Sequence, residues 1–229
     1  KAYLADSVFF GAVISLAAYE AGLLIRRRFK LAVLNPLLIA TVCVMAVLTL
    51  FKVEYRHYNE GARYISYLLT PATVCLAVPL YQQLMLLRKN LKAVAGGITA
   101  GVLASLASVF VLAKLFSLTH EQYVTLLPKS ITTAIGMGVS EELGGISTIT
   151  VAVIIVTGIL GNVIAESVFK IFRIEEPIAK GLALGTASHA IGTAKAMELG
   201  EVEGAMSSLA IAVAGLMTVV GASLFANLM

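Results

Sequence analysis

Long apolar blocks separated by short charged loops dominate the chain. Residues 31–51, 64–87, 93–113, 143–165 and 204–229 contain no Asp, Glu, Lys, Arg or His. A hydrocarbon core about 30 Å thick is crossed by roughly 20 apolar residues in a helix, so each block predicts a membrane span. Residues 7–25 predict a sixth, interrupted only by Glu20. Two further stretches are weaker: 121–140 holds Lys129, and 177–199 holds Lys180, His189, Lys195 and Glu198. Strict apolar/polar alternation, the mark of a membrane β-barrel strand, is absent. The pattern predicts an all-α polytopic membrane protein of about eight membrane segments, two of them compromised.

Composition agrees. Apolar types make up 59% of the 229 residues and charged ones 13%, and the mean hydropathy is +0.93. A soluble domain carries about 25% charged residues. A soluble globule, a disordered chain and a disulfide-rich scaffold are therefore excluded. The net charge of +4 reflects Lys and Arg in loops and does not imply nucleic acid. Cys43 and Cys75 lie within apolar blocks and read as small packed hydrophobes. No CxxC, HExxH, Walker-type or GxSxG pattern is present. No metal, no cofactor and no enzymatic activity are therefore expected. The chain opens on Lys1, so an initiator or leading segment is expected to precede it, and no cleavable signal is visible.

Loop charges predict orientation. Arg26, Arg27, Arg28 and Lys30 come after the first block and read as cytoplasmic, as do Arg88, Lys89 and Lys92. Simple counting then places the basic loop 170–180 outside, with Lys170, Arg173 and Lys180, and the acidic loops inside. Either the first charges dominate orientation, or one weak segment fails to cross and inverts the remainder of the chain.

A repeat is also legible. Leu69-Thr70-Pro71 leads to Ala113-Lys114-Leu115-Phe116, and Leu126-Leu127-Pro128 leads to Phe169-Lys170-Ile171-Phe172. A third unit runs over about 177–227. Repeats with interrupted helices characterise secondary transporters. The chain divides into a first helical half, 1–118, and a second half, 119–229, expected to carry the site.

Two stretches combine polarity, small residues and membrane depth. One holds Lys129, Ser130, Thr132 and Thr133, followed by Gly144 and Gly145. The other holds Gly185, Thr186, Ser188, His189, Gly192, Thr193 and Lys195. A charge at mid-membrane costs about 2.5–3.5 kcal/mol on insertion scales, so Lys129, His189 and Lys195 should face a cavity or partner groups. Hydroxyls can bond a carboxylate, and glycines let backbone amides approach a ligand. Together they predict a site for a small anion, with Lys129 and His189 first and Lys195 third. The plainer readings are helix packing by Gly181-xxx-Gly185 and snorkelling lysines. Proton coupling through His189 or Glu166 is a further expectation.

At these motifs the chain resembles the LrgB/CidB family of bacterial membrane proteins. The resemblance rests on Pro128-Lys129-Ser130 with Thr132-Thr133, on Glu142-Leu143-Gly144-Gly145-Ile146, and above all on the string from Gly185 to Ala194. Gly200-Glu201, Gly204-Ala205 and Ser207-Ser208-Leu209 continue it. A single LrgB-like transmembrane domain over 1–229 is implied, in the bacterial inner membrane. The family was first described as holin/antiholin-like, modulating murein hydrolases and lysis. Similar plastid proteins move glycolate and glycerate, and bacterial relatives are linked to pyruvate uptake. The resemblance thus implies a monocarboxylate carrier, often with a small LrgA/CidA-type membrane partner.

The combined expectation is a carrier of small monocarboxylates working by alternating access, with a homodimer plausible from its Gly/Ala-rich faces. Its rivals are a holin-like regulator of lysis and, in another class, an intramembrane enzyme using Lys129, Ser130 and His189.

Overall fold

The computed structural model describes residues 7, 9–29, 34–75 and 77–229. All regular elements among them are helices: α1 (Phe10–Phe29), α2 (Pro36–Phe51), α3 (Tyr55–Ser66), α4 (Leu69–Cys75), α5 (Ala77–Gln82), α6 (Leu84–Lys89), α7 (Leu91–Leu115), α8 (His120–Leu126), α9 (Thr133–Glu142), α10 (Ser147–Ile171), α11 (Pro177–Leu199) and α12 (Glu201–Ala226). Four stretches are long and apolar enough to cross a membrane: Tyr55–Gln82, Leu91–Leu115, Ser147–Ile171 and Glu201–Ala226. Pro36–Phe51 is a shorter apolar helix. The protein is an all-α, multi-pass membrane protein. Residues 31–33 of the expected span 31–51, and Lys30 of the basic flank before it, lie outside the described residues.

The chain forms two compact units, Lys1–Cys75 and Leu76–Met229. In the first, glycine permits close crossings. A side chain at Gly11 would meet the α3 backbone at Tyr58 and Ala62, and one at Gly22 would meet Pro36 of α2. Ser15 Oγ and Tyr58 Oη lie 2.9 Å apart between α1 and α3. Cys43 is half-buried and Cys75 exposed, both free thiols, so Cys75 is not the buried hydrophobe expected.

The second unit is built on three long helices. Helices of 25 residues, such as α7 and α10, extend about 37 Å at 1.5 Å per residue, enough to span a bilayer. On α7 the buried residues are Val94, Ile98, Val102, Leu106, Val109 and Ala113, one face at helical spacing. Leu103, Val111 and Leu112 are exposed on its other face, as are Val156, Leu160 and Ile164 on α10 and Leu216, Val220 and Leu224 on α12. Outward apolar faces on all three helices suit lipid and not water.

The two weak segments of the sequence do not cross. In α11, Ser188 (φ −134°, ψ 16°) and His189 (φ 42°, ψ −136°) interrupt the helix. Residues 184 and 192 would stand about 12 Å apart along a straight helix. Instead the Cβ position of Gly192 lies against the Leu184 carbonyl. The chain has turned back. Leu182 on the entry limb meets Gly97 of α7, and Met197 on the return limb meets Gly204 of α12. This re-entrant hairpin 2 enters and leaves at the same end of the bundle.

Segment 120–142 folds the same way. Thr150 Oγ1 donates to the Thr125 carbonyl at 2.9 Å and lies 2.7 Å from Ser140 Oγ. Residues 125 and 140 therefore sit at one level, with the reversal between α8 and α9. Hairpin 1 starts at the opposite end from hairpin 2. There His120 Nδ1 lies 2.7 Å from the Met229 carbonyl, and Tyr123 Oη donates to the Phe225 carbonyl at 2.9 Å.

This path is the one the inverting reading expects. Asn90 and Ala93 line one cavity with Glu176 and Ala179. Arg88, Lys89 and Lys92 therefore share an end with Lys170, Arg173 and Lys180. That basic end is the one expected to face the cytoplasm.

The repeat has a structural basis. Phe116 and Phe172 are the C-caps of α7 and α10. Each is followed by a left-handed residue, Ser117 (φ 51°) and Arg173 (φ 52°). In each, a later amide reaches back to close the end: Leu118 N to Ala113 O at 2.9 Å, and Ile174 N to Phe169 O at 2.8 Å. Val53 N to Leu48 O, with Lys52 at φ 52°, repeats the motif after α2. Buried Val94, Ile98, Val102, Val109 and Ala113 of α7 correspond, 56 positions on, to buried Thr150, Ile154, Gly158, Ala165 and Phe169 of α10. Long helix plus hairpin thus occurs twice, the second time inverted.

Candidate functional site

The hairpin tips reach the middle of the second unit from opposite ends. Pro128, which has no amide to donate, follows Leu127, the C-cap of α8. The tip beyond it carries Lys129 and Ser130. Lys129 Nζ donates to Ser105 Oγ of α7 at 3.2 Å and to Ser130 Oγ at 3.0 Å. The two serine hydroxyls are 2.9 Å apart. No carboxylate pairs with Lys129 among the described residues.

This cluster lines a cavity of about 700 Å³ between α7 and hairpin 2. Its walls are Gly97, Gly101, Ala104 and Ser108 of α7, and Leu182, Ala183, Thr186 and Ala187 of hairpin 2. Asn90 and Glu176 line it at the basic end, and it is open along its side, where Gly97, Ala104, Ser108, Ala183 and Ala187 are exposed. The volume suits a small ligand, and the lining is small and mostly apolar with a few convergent polar groups. Thr186 Oγ1 donates to the Leu182 carbonyl at 2.8 Å, leaving its lone pairs to the cavity.

The other expected residues fall elsewhere. The tip of hairpin 2 packs on α10: Ser188 fills the space at Gly161, and His189 lies over Gly158. His189 Nε2 donates to the Ile154 carbonyl at 2.9 Å. The carbonyl can only accept, so that nitrogen carries the proton. Lys129 and His189 are thus not brought into one lining. Thr193 Oγ1 lies 2.7 Å from Ser207 Oγ and 3.1 Å from the His189 carbonyl it donates to. Lys195 is 6% exposed and pairs with Glu166 of α10 and, at 3.3 Å, with Glu198. Its charge is already met by carboxylates.

The glycines serve approach between helices more than approach to a ligand. A side chain at Gly185 would meet Ser207 and Ala210 of α12, and one at Gly181 would meet Glu203 and Met206. The packing reading of Gly181-xxx-Gly185 holds. Gly192 sits inside hairpin 2, while Gly145 faces Ser140 and Thr125. Gly144 adopts φ +81° in the turn before α10. Thr132 is the N-cap of α9 without a side-chain cap bond, and Thr133 begins that helix. Among the described residues no His/Cys/Asp/Glu group is placed to hold a metal.

Sequence reasoning missed Ser105, Ser108, Asn90 and Glu176. Ser105 and Ser108 are three apart on a helix and so share a face. That pair of hydroxyls on one face of the apolar span was the available signal.

Comparison with known proteins places this architecture. The LrgB-like family matches residues 15–228. The chain is 39% identical over 218 residues to an antiholin-like protein LrgB of Bacillus cereus, covering 95% of each chain. It has the same identity and coverage with an antiholin-like protein LrgB of Bacillus anthracis. No solved structure matches the chain. With nearly its whole length matched, the chain belongs to the LrgB-like family.

Proposed function

We propose that the protein is a secondary carrier of small monocarboxylates, of the glycolate, glycerate or pyruvate class, in the bacterial inner membrane. One observation carries the reading. A half-buried lysine ammonium lines a cavity midway along α7, and among the described residues its partners are hydroxyls. An ammonium withdrawn from water favours a charged counterpart. A carboxylate entering the cavity would pair with Lys129 and accept from Ser105, Ser130 or Ser108. Its remaining carbons would lie against Ala183, Ala187 and Thr186. Two inverted helix–hairpin units around one central site support alternating access.

In this reading Lys195, Thr193 and Ser188 hold hairpin 2 in place and do not contact substrate. Glu166, paired with Lys195, and His189 are the candidates for proton coupling. A small LrgA/CidA-type membrane protein and a second copy of the chain are the proposed partners.

A second reading has its own support. The relatives bear the name antiholin-like protein. That name favours control of murein hydrolase activity and lysis more directly than it favours transport. The two are compatible, since a carrier of organic acids changes the metabolic state in which lysis occurs.

Uptake of labelled glycolate, glycerate and pyruvate into proteoliposomes separates them. The carrier reading expects saturable uptake that falls at least tenfold in Lys129→Ala, with an entrapped dye retained. Dye leakage without saturable uptake of any of the three acids would leave the antiholin-like reading alone.

A further inference from the structure

A second cavity, of about 460 Å³, lies at the basic end, where α10 stops and hairpin 2 begins. Lys170 of α10, Arg173 of the following turn and Lys180 of the entry limb of hairpin 2 all line it. Among the described residues none of these three cations forms an ion pair. Two carboxylates share the lining, Glu166 and Glu175. Glu166 is already joined to Lys195. Glu175 is left against three cations, so the pocket keeps an excess of positive charge. Its floor is apolar: Phe169, Ile174 and Leu199 belong to the cluster that packs the end of α10 against hairpin 2.

The fold does not require these charges. The related end of α7 makes the same left-handed turn with Ser117 in the place of Arg173. Val124 stands 56 positions before Lys180. Lys114, the counterpart of Lys170, lies 5.9 Å from the ring centre of Phe110. Orientation in the membrane asks for cations in a loop, but not that three of them converge on one cavity.

Depth selects the ligand. Helix α10 has 25 residues and extends about 37 Å, against a hydrocarbon core about 30 Å thick. Its last turn, with Lys170, therefore stands among the lipid headgroups. Ile171 and Phe172 beside it are 74% and 72% exposed, and exposed Ile164 and Leu160 continue the outward apolar face toward the membrane centre. Basic pockets between membrane helices at a cytoplasmic face suit phosphate headgroups. A soluble anion would need neither the exposed apolar pair nor the outward face.

We propose that this pocket binds the phosphate of an anionic phospholipid, such as phosphatidylglycerol, through Lys170, Arg173 and Lys180. The acyl chains run along α10 past Ile164 and Leu160. Lys180 belongs to hairpin 2 and the other two cations to α10 and its turn, so the headgroup ties these elements together. The pocket shares no lining residue with the Lys129 cavity, and the proposal is independent of what the protein carries.

Melting of the delipidated protein in neutral detergent, titrated with short-chain phosphatidylglycerol, tests this. The parent should gain stability. Phosphatidylcholine of the same chain length has the phosphate but no net charge, and should need a roughly tenfold higher concentration. Lys170→Gln with Arg173→Gln should raise the half-saturating phosphatidylglycerol roughly thirtyfold, and Lys180→Gln alone roughly fivefold. Arg88→Gln with Lys89→Gln removes two cations at the same end but outside the pocket, and should stay within about twofold of the parent. Equal losses in the two double variants would reduce the effect to the general charge of that end and overturn the site. Unchanged half-saturation in both pocket variants would overturn it too, as would equal potency of the two lipids. If Lys170→Gln with Arg173→Gln does not fold, Lys180→Gln decides alone. Glycerol phosphate, which lacks acyl chains, separates the sources: stabilisation at the same concentration as the lipid would make the ligand a soluble phosphate and overturn the lipid assignment.

Discussion

Replacing Lys129 by Met removes the charge that lines the cavity while keeping a long side chain. In the structure the ammonium has two hydroxyl partners, at 3.2 and 3.0 Å. A lysine at membrane depth costs about 2.5–3.5 kcal/mol on insertion scales. Hydrogen bonds to a charged group return about 1.5–3 kcal/mol each. Two such bonds return about 3–6 kcal/mol, so unliganded Lys129→Met should lie within about 3 kcal/mol of the parent's stability. The liganded state differs. Losing one partner of a buried ion pair costs about 3–5 kcal/mol, and the lower bound applies to a cavity open along its side. About 3 kcal/mol corresponds to roughly a hundredfold in Kd. The assay is melting of the purified protein titrated with glycolate, glycerate and pyruvate. The parent should gain stability with at least one acid. Lys129→Met should need roughly a hundredfold more of it. Half-saturation within threefold of the parent would refute the assignment of Lys129 as the anion contact.

Three further outcomes rest on the same geometry. Gly161→Ala places a methyl group where Ser188 sits; it should lower stability by about 1–3 kcal/mol, and adding Ser188→Gly should restore most of the loss in a melting assay. Lys195→Met removes the ammonium that Glu166 and Glu198 share and should destabilise, whereas the pair Lys195→Met with Glu166→Gln should lie closer to the parent; additive losses in that double-mutant cycle would show that the ion pair contributes nothing. Cysteines at Arg173 and Lys89 should label from the same side of the membrane and a cysteine at His120 from the other; labelling of Arg173→Cys from the His120 side would exclude the re-entrant path.

The membrane class was fully legible in the sequence, because hydropathy reports directly on lipid exposure. So were the places of interruption, near Pro128 and within 185–195, since proline, glycine and charge interrupt an apolar run visibly. Reversal at those places was not legible. Hydropathy counts residues and does not report direction. The turn of hairpin 2 depends on the left-handed φ of His189 and on Gly192 meeting Leu184, neither of which has a compositional mark. The charge conflict between the basic clusters at 88–92 and 170–180 was the indirect sign of it.

The candidate site was legible in its residue types and less so in its grouping. Lys129, Ser130 and Thr186 come together at the cavity. His189 turns to the Ile154 carbonyl, and Lys195 to Glu166, because both partners lie on α10. Such long-range neighbours arise from the inverted path of the chain and not from spacing. Ser105 and Ser108 escaped notice because, even with Thr99, they scarcely lower the hydropathy of the span 93–113.

The central claim is that one solute site is exposed alternately to the two sides, as a carrier requires and a pore does not. Counterflow tests it most directly. Proteoliposomes loaded with unlabelled acid are diluted into a trace of the same labelled acid, and internal label is tracked with time. The account predicts a transient accumulation of label above its equilibrium level, absent in Lys129→Ala. A monotonic rise to equilibrium, unaffected by the internal load, would contradict it.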